Sequence, residues 1–108
     1  MTTIAKDANV VTVVNVFTVE PENQQRLIDV LVQATESVIS KLDGYVSANF
    51  HRSLDGTRVV NYAQWRSREQ LGAMLGSAEA QEHLHAAAAL ATSVEPNLYE
   101  VAFTHSVG

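Results

Sequence analysis

Two polar side chains fall on a stretch of chain that otherwise predicts a buried strand. Residues Val59 to Ser67 read VVNYAQWRS, and strand side chains alternate between the two faces of a sheet. Asn61 and Trp65 therefore share one face with valine and alanine. A buried amide without a partner costs about 1–3 kcal/mol. These residue types thus predict a polar-lined cavity that holds a ligand by hydrogen bonds and ring contacts.

A second amide belongs to the same face of the predicted sheet. The β-branched run Val10 to Val19 predicts the first strand, and Asn15 and Phe17 point the same way on it. Taken singly, each amide is explained by a hydrogen bond to a loop or water, and Trp65 by core packing. Together they favour a pocket. Asn61 and Trp65 are about 13 Å apart along a strand, so they suit a multi-ring ligand better than a single atom.

Periodicity and capping signals predict the helices that cover this face. One long amphipathic helix begins at Pro21 and stops at Gly44. A capping box formed by Ser67 and Gln70 opens a short second helix. After a break, a third helix is predicted over residues 78–91.

Three further strands complete an α+β fold. They are predicted over residues 45–54, 57–65 and 98–104, and the hairpin dipeptide Asp55-Gly56 turns the first of them back onto the second. The order β-α-β-β-α-α-β is that of a ferredoxin-like split βαβ domain with an antiparallel sheet. A single domain over the whole chain is expected.

Alternation also assigns the two faces of this sheet. Val46, Ala48 and Phe50 are predicted on the cavity face with Asn61, and Tyr45 on the opposite face. That opposite face has no predicted helix to cover it, although it is apolar. A homodimer through the sheet face, a dimeric α/β barrel, is therefore expected. The apolar residues that it would cover are Val10, Val14, Val16, Val60 and Tyr62.

Composition excludes several classes of function. The 108 residues carry a formal charge of −5 and no cysteine, which argues against nucleic-acid partners, disulfides and thiolate chemistry. No apolar run approaches the roughly 20 residues of a membrane span, and no signal pattern opens the chain. A cytoplasmic protein without a membrane partner is expected.

The histidines form no metal-binding pattern. His83 and His85 are two residues apart on a predicted helix, so their side chains point about 200° apart and cannot hold one metal together. Nucleotide-binding and metalloprotease motifs are absent from the sequence. No metal and no cofactor are therefore predicted. His83 flanks the apolar stripe that contains Leu84, where it is either solvated or turned to the pocket.

The segment GTRVVNYAQWRSREQ, residues 56–70, resembles the antibiotic biosynthesis monooxygenase family. It is most similar to the cofactor-independent quinol and anthrone monooxygenases of aromatic polyketide pathways. Asn61 and Trp65 match residues that this family uses at its active site, and Asn15 with Phe17 is a supporting match. The resemblance implies that Asn61 and Trp65 are catalytic, that O2 oxidises a small aromatic substrate to a quinone, and that no cofactor takes part.

The resemblance also implies the rest of the site. Two family tyrosines correspond to Phe50 and Leu71, and a family arginine corresponds to His85. His83 or His85 is then the expected base, since imidazole titrates near neutral pH. The expected substrate-binding residues are Asn15, Phe17, Phe50, Leu71, Met74, His83 and His85.

Two other functions stay open at this point. A heme-degrading branch of the same superfamily has a strand asparagine and an iron-binding histidine, which Asn15 and His83 match. Met74 stands where the tryptophan of that branch would be. The other alternative is a non-catalytic dimeric domain that binds a small molecule or serves a stress response.

Overall fold

The computed structural model describes residues 2–108. In chain order its elements are β1 (Val11–Thr18), α1 (Gln24–Ser37), β2 (Tyr45–Arg52), β3 (Arg58–Trp65), α2 (Arg68–Leu75), α3 (Ala78–Ala89) and β4 (Ser93–Tyr99). The strands form one antiparallel sheet in the order β2-β3-β1-β4. The predicted ferredoxin-like α+β fold is thus confirmed. Within the described range, no helix has the length and apolar character needed to cross a membrane.

The helices pack on one face of the sheet through two apolar clusters. The first joins α1 to the end of β1 and the start of β3, and Leu27 and Val59 are fully buried in it. The second joins α2 and α3 to the end of β3, around the buried Trp65. Each large side chain buried in this way stabilises the fold by about 1.5–3 kcal/mol. The clusters consist of Phe17, Val19, Leu27, Ile28, Leu31, Val59 and Ala87, and of Trp65, Leu71, Met74 and Ala80.

The first helix is shorter than its periodicity predicts. α1 ends at Ser37, and Val38 leaves helical geometry with a φ of −129°. A 3-10 turn follows, and Gly44, with a φ of 90°, lies in the connection to β2 instead of ending a helix. Val38 and Ile39 are β-branched and pack against the cluster around Trp65. This packing, together with their low helix propensity, outweighs the apolar spacing that predicted a continuous helix.

The last strand lies earlier in the chain than predicted. β4 spans Ser93–Tyr99 instead of residues 98–104, and Pro96 lies inside it. Proline removes a backbone donor, but β4 pairs only with β1. On such an edge strand a missing donor is tolerated on the open side. Pro96 and Leu98 consequently join the helix-covered face of the sheet.

Side-chain hydrogen bonds fix the chain at both ends of β3. In the β2–β3 hairpin, Asp55 accepts from the hydroxyls of Thr57 and Ser53 and from the backbone N–H of Thr57, at 2.7–3.0 Å. These bonds, with the Thr57 hydroxyl first, lower the pKa of Asp55 to about 2. At the other end, Ser67 Oγ accepts from the backbone N–H of Gln70 at 3.1 Å. This confirms Ser67 as the N-cap of α2, while the Gln70 side chain of the predicted capping box accepts from Ser67 Oγ at 3.2 Å.

Candidate active site

A cavity of about 200 Å³ lies between the sheet and the helices. Its floor consists of rows of side chains that face one another across the strands. One row, in the order β2, β3, β1, β4, is Phe50, Asn61, Asn15 and Pro96. Opposed residues in an antiparallel pair have Cβ atoms about 4.5–5.5 Å apart. The two amides, distant in the sequence, therefore lie side by side on the cavity floor.

The next row along the strands is small and apolar. Its members in the same order are Ala48, Ala63, Val13 and Leu98. It lies about 7 Å from the amide row, because two residues separate the rows along each strand. On its far side stand Tyr45 and Trp65, which pair with each other. A flat ligand on the alanine row thus has the amides along one edge and the indole of Trp65 along the other.

The roof of the cavity is apolar and comes from the helices. Its one polar side chain, Thr35, already donates its hydroxyl to the carbonyl oxygen of Leu31 at 2.8 Å. The cavity reaches the surface at Leu75 and Leu98, which line it although they are 49% and 38% exposed. The roof residues are Leu31, Thr35, Ile39, Leu71, Met74, Leu75 and Leu84.

Asn61 has one end of its amide held and the other end free. Its Oδ1 accepts a hydrogen bond from the backbone N–H of Asn49 at 3.3 Å. Because this oxygen faces the donor, the Nδ2 group keeps two N–H donors for other partners. Asn61 lines the cavity, so its amide is arranged to donate to an oxygen atom of a ligand.

Asn15 offers the complementary group. Its Oδ1 is buried and has no hydrogen-bond partner among residues 2–108. Such an unpaired acceptor costs on the order of 1–3 kcal/mol, and a ligand hydroxyl would relieve that cost. Together, Asn15 and Asn61 present an acceptor and a donor side by side. This pair matches a hydroxyl next to a carbonyl oxygen.

A β-bulge brings an unexpected tyrosine into the cavity. Tyr45 pairs with Trp65 and Ser47 pairs with Gln64, so Val46 is an extra residue in β2. The bulge reverses the alternation of side chains. The prediction that Tyr45 lies on the opposite face, with Val46 in the cavity, is therefore wrong. The Tyr45 ring meets the indole edge-on, with ring centroids 5.8 Å apart and an interplanar angle of 89°.

The structure brings most of the predicted site residues together. Those that line the cavity are Asn15, Phe17, Phe50, Asn61, Trp65, Leu71 and Met74. The other two lie on α3 outside the lining, with His83 partly buried and His85 exposed. Sequence reasoning missed Tyr45, which the bulge concealed. It also missed Pro96 and Leu98, whose spacing of two would have indicated one strand face.

Tyr45 is the one titratable residue in the described cavity lining. Burial raises the pKa of its hydroxyl, and a hydrogen bond with the backbone of Ala48 lowers it to a smaller extent. The positions of His83 and His85 lend no support to the base role expected for one of them. The cavity is therefore suited to binding and desolvating a ligand, without a carboxylate or imidazole beside it.

The sequence and the fold define the class of protein. Residues 10–89 match the antibiotic biosynthesis monooxygenase family, and the chain belongs to that family. It is a monooxygenase, which confirms the predicted enzyme class.

Individual relatives agree with this assignment. Over 108 residues the chain is 45% identical to the tetracenomycin-F1 monooxygenase of Streptomyces glaucescens, of which it covers 94%. The ActVA-Orf6 monooxygenase of Streptomyces coelicolor, solved in complex with nanaomycin D, superimposes with a TM-score of 0.77 at 28% identity, over 93% of each chain. SnoaB, a cofactor-independent oxygenase from Streptomyces nogalater, shares the fold with a TM-score of 0.80 at 24% identity, over 90% of this chain and 97% of that one.

Heme, which the alternative prediction requires, does not fit the residues present. Among the described residues no histidine lines the cavity, and His83, the expected iron ligand, lies outside it. The cavity thus offers heme iron no histidine ligand.

Proposed function

We propose that the protein is a cofactor-independent monooxygenase that uses O2 to oxidise an anthrone- or quinol-type polycyclic aromatic polyketide to a quinone. The observation that carries the proposal is the pair of amides, Asn15 and Asn61, side by side in an apolar cavity. The names of the relatives support it, since they include a tetracenomycin-F1 monooxygenase and a monooxygenase bound to nanaomycin D. Another neighbour is described as cofactor-independent.

The substrate lies flat on the alanine row in this proposal. The carbonyl oxygen of its middle ring accepts from Asn61 Nδ2, and a neighbouring hydroxyl donates to Asn15 Oδ1. In an anthrone, the carbonyl carbon and the reactive CH2 carbon lie opposite each other across the middle ring. The CH2 carbon therefore faces the row on the other side of the ligand, which contains Trp65.

A ligand of three or more rings extends beyond the enclosed part of the cavity. A protein cavity of about 150 Å³ holds a single benzene ring, so about 200 Å³ does not enclose three rings. We place the trailing ring in the mouth, between the partly exposed Leu75 and Leu98. Phe17, Phe50, Leu71 and Met74 then exclude water from the rings inside.

The electrons for the reaction come from the substrate. The CH2 group loses its proton to solvent at the mouth, before the rings are enclosed, and the carbanion is delocalised onto the carbonyl oxygen as an enolate. Asn61 donates to that oxygen, and a hydrogen bond to a charged group is worth about 1.5–3 kcal/mol. Solvent serves as the proton acceptor, and this hydrogen bond lowers the energy of the anion that remains.

Oxygen then reacts with the anion without a metal or flavin. The anion passes one electron to O2, and the substrate radical combines with superoxide to form a peroxide anion. The indole N–H of Trp65 donates to this peroxide, which takes up a proton and loses water to leave the quinone carbonyl. Four electrons leave the CH2 carbon, and they reduce O2 to one product oxygen and one water.

We also propose a homodimer through the outer face of the sheet. The N-terminal segment covers part of that face, where Gln64 Nε2 donates to the carbonyl oxygen of Thr3 at 2.7 Å. The apolar residues beside it are only partly buried, and a second copy would cover them. They are Val14, Val16, Val60 and Tyr62. The cytoplasmic location and the absence of a nucleic-acid partner stay predictions from the sequence.

Oxygen uptake tests the enzymatic proposal. Chelator-treated protein is mixed with anthrone in an oxygen electrode, and heat-unfolded protein measures the spontaneous oxidation. We expect uptake at least tenfold above that background, with one O2 consumed per quinone formed. Uptake at the background rate would contradict an enzyme acting on anthrones. Uptake that depends on added hemin would favour the heme alternative instead.

A further inference from the structure

Tyr45 stands at the β2 end of the cavity. It belongs to β2, whereas Leu98, at the mouth, belongs to β4 at the other edge of the sheet. Adjacent strands are about 4.8 Å apart, so three strand spacings, about 14 Å, separate these two sides. A flat ligand that enters at the mouth and crosses the amide-bearing strands β1 and β3 brings its leading ring to Tyr45.

The Tyr45 hydroxyl keeps its proton for a ligand. Burial raises the pKa of the hydroxyl, and the backbone N–H of Ala48 lowers it to a smaller extent. The hydroxyl therefore holds its proton more firmly than a solvent-exposed tyrosine does. Since a backbone N–H can only donate, the tyrosine O–H is left for another acceptor. Ala48 is itself the β2 member of the row on which the ligand lies.

The position of the ring is built into the fold. The bulge at Val46 turns Tyr45 to the cavity face, and the edge-on contact with Trp65 holds the ring in place. Bulges next to active sites commonly re-aim a side chain in this way.

We propose that Tyr45 is a specificity-determining residue that donates a hydrogen bond to an oxygen substituent on the leading outer ring of the substrate. The proposal rests on the proposed function, since it assumes a flat polycyclic ligand on the alanine row. Asn61 contacts the carbonyl oxygen of the middle ring and Asn15 a hydroxyl on its β4 side, so neither amide distinguishes the substituents of the leading outer ring. Tyr45 makes that distinction, and it thereby sets which end of the ring system enters first.

Two ligands that differ by one hydroxyl isolate this contact. One is anthraquinone and the other is an anthraquinone with a hydroxyl on an outer ring, away from the carbonyls. Trp65 is the chain's only tryptophan, so quenching of its fluorescence measures the affinity of each ligand without turnover. We expect the wild type to bind the hydroxylated ligand about threefold to tenfold more tightly, as one additional hydrogen bond allows.

The variant Tyr45→Phe removes the hydroxyl and keeps the ring contact with Trp65. We expect it to bind both ligands with nearly the affinity that the wild type has for plain anthraquinone. Tyr99→Phe is the matched control, because Tyr99 lies outside the cavity lining and is 50% exposed. It should keep the full preference.

Each other outcome has a distinct meaning. A preference retained in Tyr45→Phe, or absent from the wild type, would overturn the proposed contact while leaving the oxygenase proposal in place. An equal loss of affinity for both ligands in Tyr45→Phe would show a purely structural role and would also overturn it. Failure of the wild type to bind either ligand would contradict the proposed function itself.

Discussion

Asn61 combines a fixed position with a free donor pair. Its oxygen is held by the backbone of Asn49 at 3.3 Å, and its neighbour across the strands, Asn15, has a buried oxygen without a partner in the described chain. Preorganised donors of this kind stabilise developing charge because they need no reorganisation during the reaction. At the residue scale, the proposed reaction therefore depends on where the enolate oxygen is placed.

Removing the donors should slow quinone formation. We expect Asn61→Ala and Trp65→Phe each to lower the rate at least tenfold, as the loss of one transition-state hydrogen bond typically does. The initial rate is measured from quinone absorbance, and thermal unfolding checks that each variant is folded. Asn97→Ala, which removes an exposed amide on β4, is the control and should keep the full rate. Unchanged rates in both site variants would refute the site assignment.

The connection before β2 positions the helix that forms part of the cavity roof. Gly44 has a φ of 90°, and its carbonyl oxygen accepts from the backbone N–H of Arg66 at 2.8 Å. A Cβ atom at Gly44 would lie 2.5 Å from the side chain of Gln70. Gln70 belongs to the cap of α2, which carries Leu71 and Met74 into the cavity. At the element scale, a glycine without room for a side chain thus sets the position of α2.

Two glycine variants test this role of the connection. We expect Gly44→Ala to lower the free energy of unfolding by about 1–2 kcal/mol, because alanine is strained at positive φ and would displace Gln70. Gly72→Ala is the matched control on α2, where a Cβ meets no atom within 4 Å. It should raise stability by up to about 1 kcal/mol through helix propensity. Urea unfolding measures both, and equal stabilities would contradict the account of the connection.

The sequence predicts the elements whose signals are local and misses those that depend on distant packing. Alternation placed Asn15 and Asn61 on one face correctly, because the register of β1 and β3 follows the apolar pattern. A single inserted residue in β2 reverses this alternation, so the face predicted for Tyr45 is wrong. The predicted end of α1 is wrong because the packing of Val38 overrides its helical spacing. The predicted position of β4 is wrong because an edge strand tolerates Pro96, which lies outside the strand predicted from the sequence.

The two faces of the sheet carry the two proposed roles at the scale of the whole molecule. Its covered face holds the cavity, whereas its outer face carries apolar side chains beside a short N-terminal segment that is hydrogen-bonded to Asn49 and Gln64. The same sheet can thus bind a ligand on its covered face and a second copy of the chain on its outer face. Val60, on the central strand β3, lies on this outer face and is partly buried.

A charge at the centre of the outer face should separate the proposed dimer. We expect light scattering at micromolar concentration to give twice the mass of one chain for the wild type. Val60→Lys should have the mass of one chain, because an unpaired charge buried in the interface is costly. Leu54→Lys is the control, since Leu54 is fully exposed in the hairpin, and it should stay dimeric. A wild type with the mass of one chain would contradict the dimer.

The fate of labelled oxygen tests the central claim most directly. Chelator-treated protein is supplied with an anthrone under 18O2, and the quinone is examined by mass spectrometry. If substrate electrons reduce O2 in this cavity, each quinone gains one labelled oxygen, the other appears in water, and Asn61→Ala lowers the labelled yield at least tenfold at equal time. A quinone oxygen that derives from unlabelled water, or a labelled yield equal to that of the reaction without protein, would contradict the account.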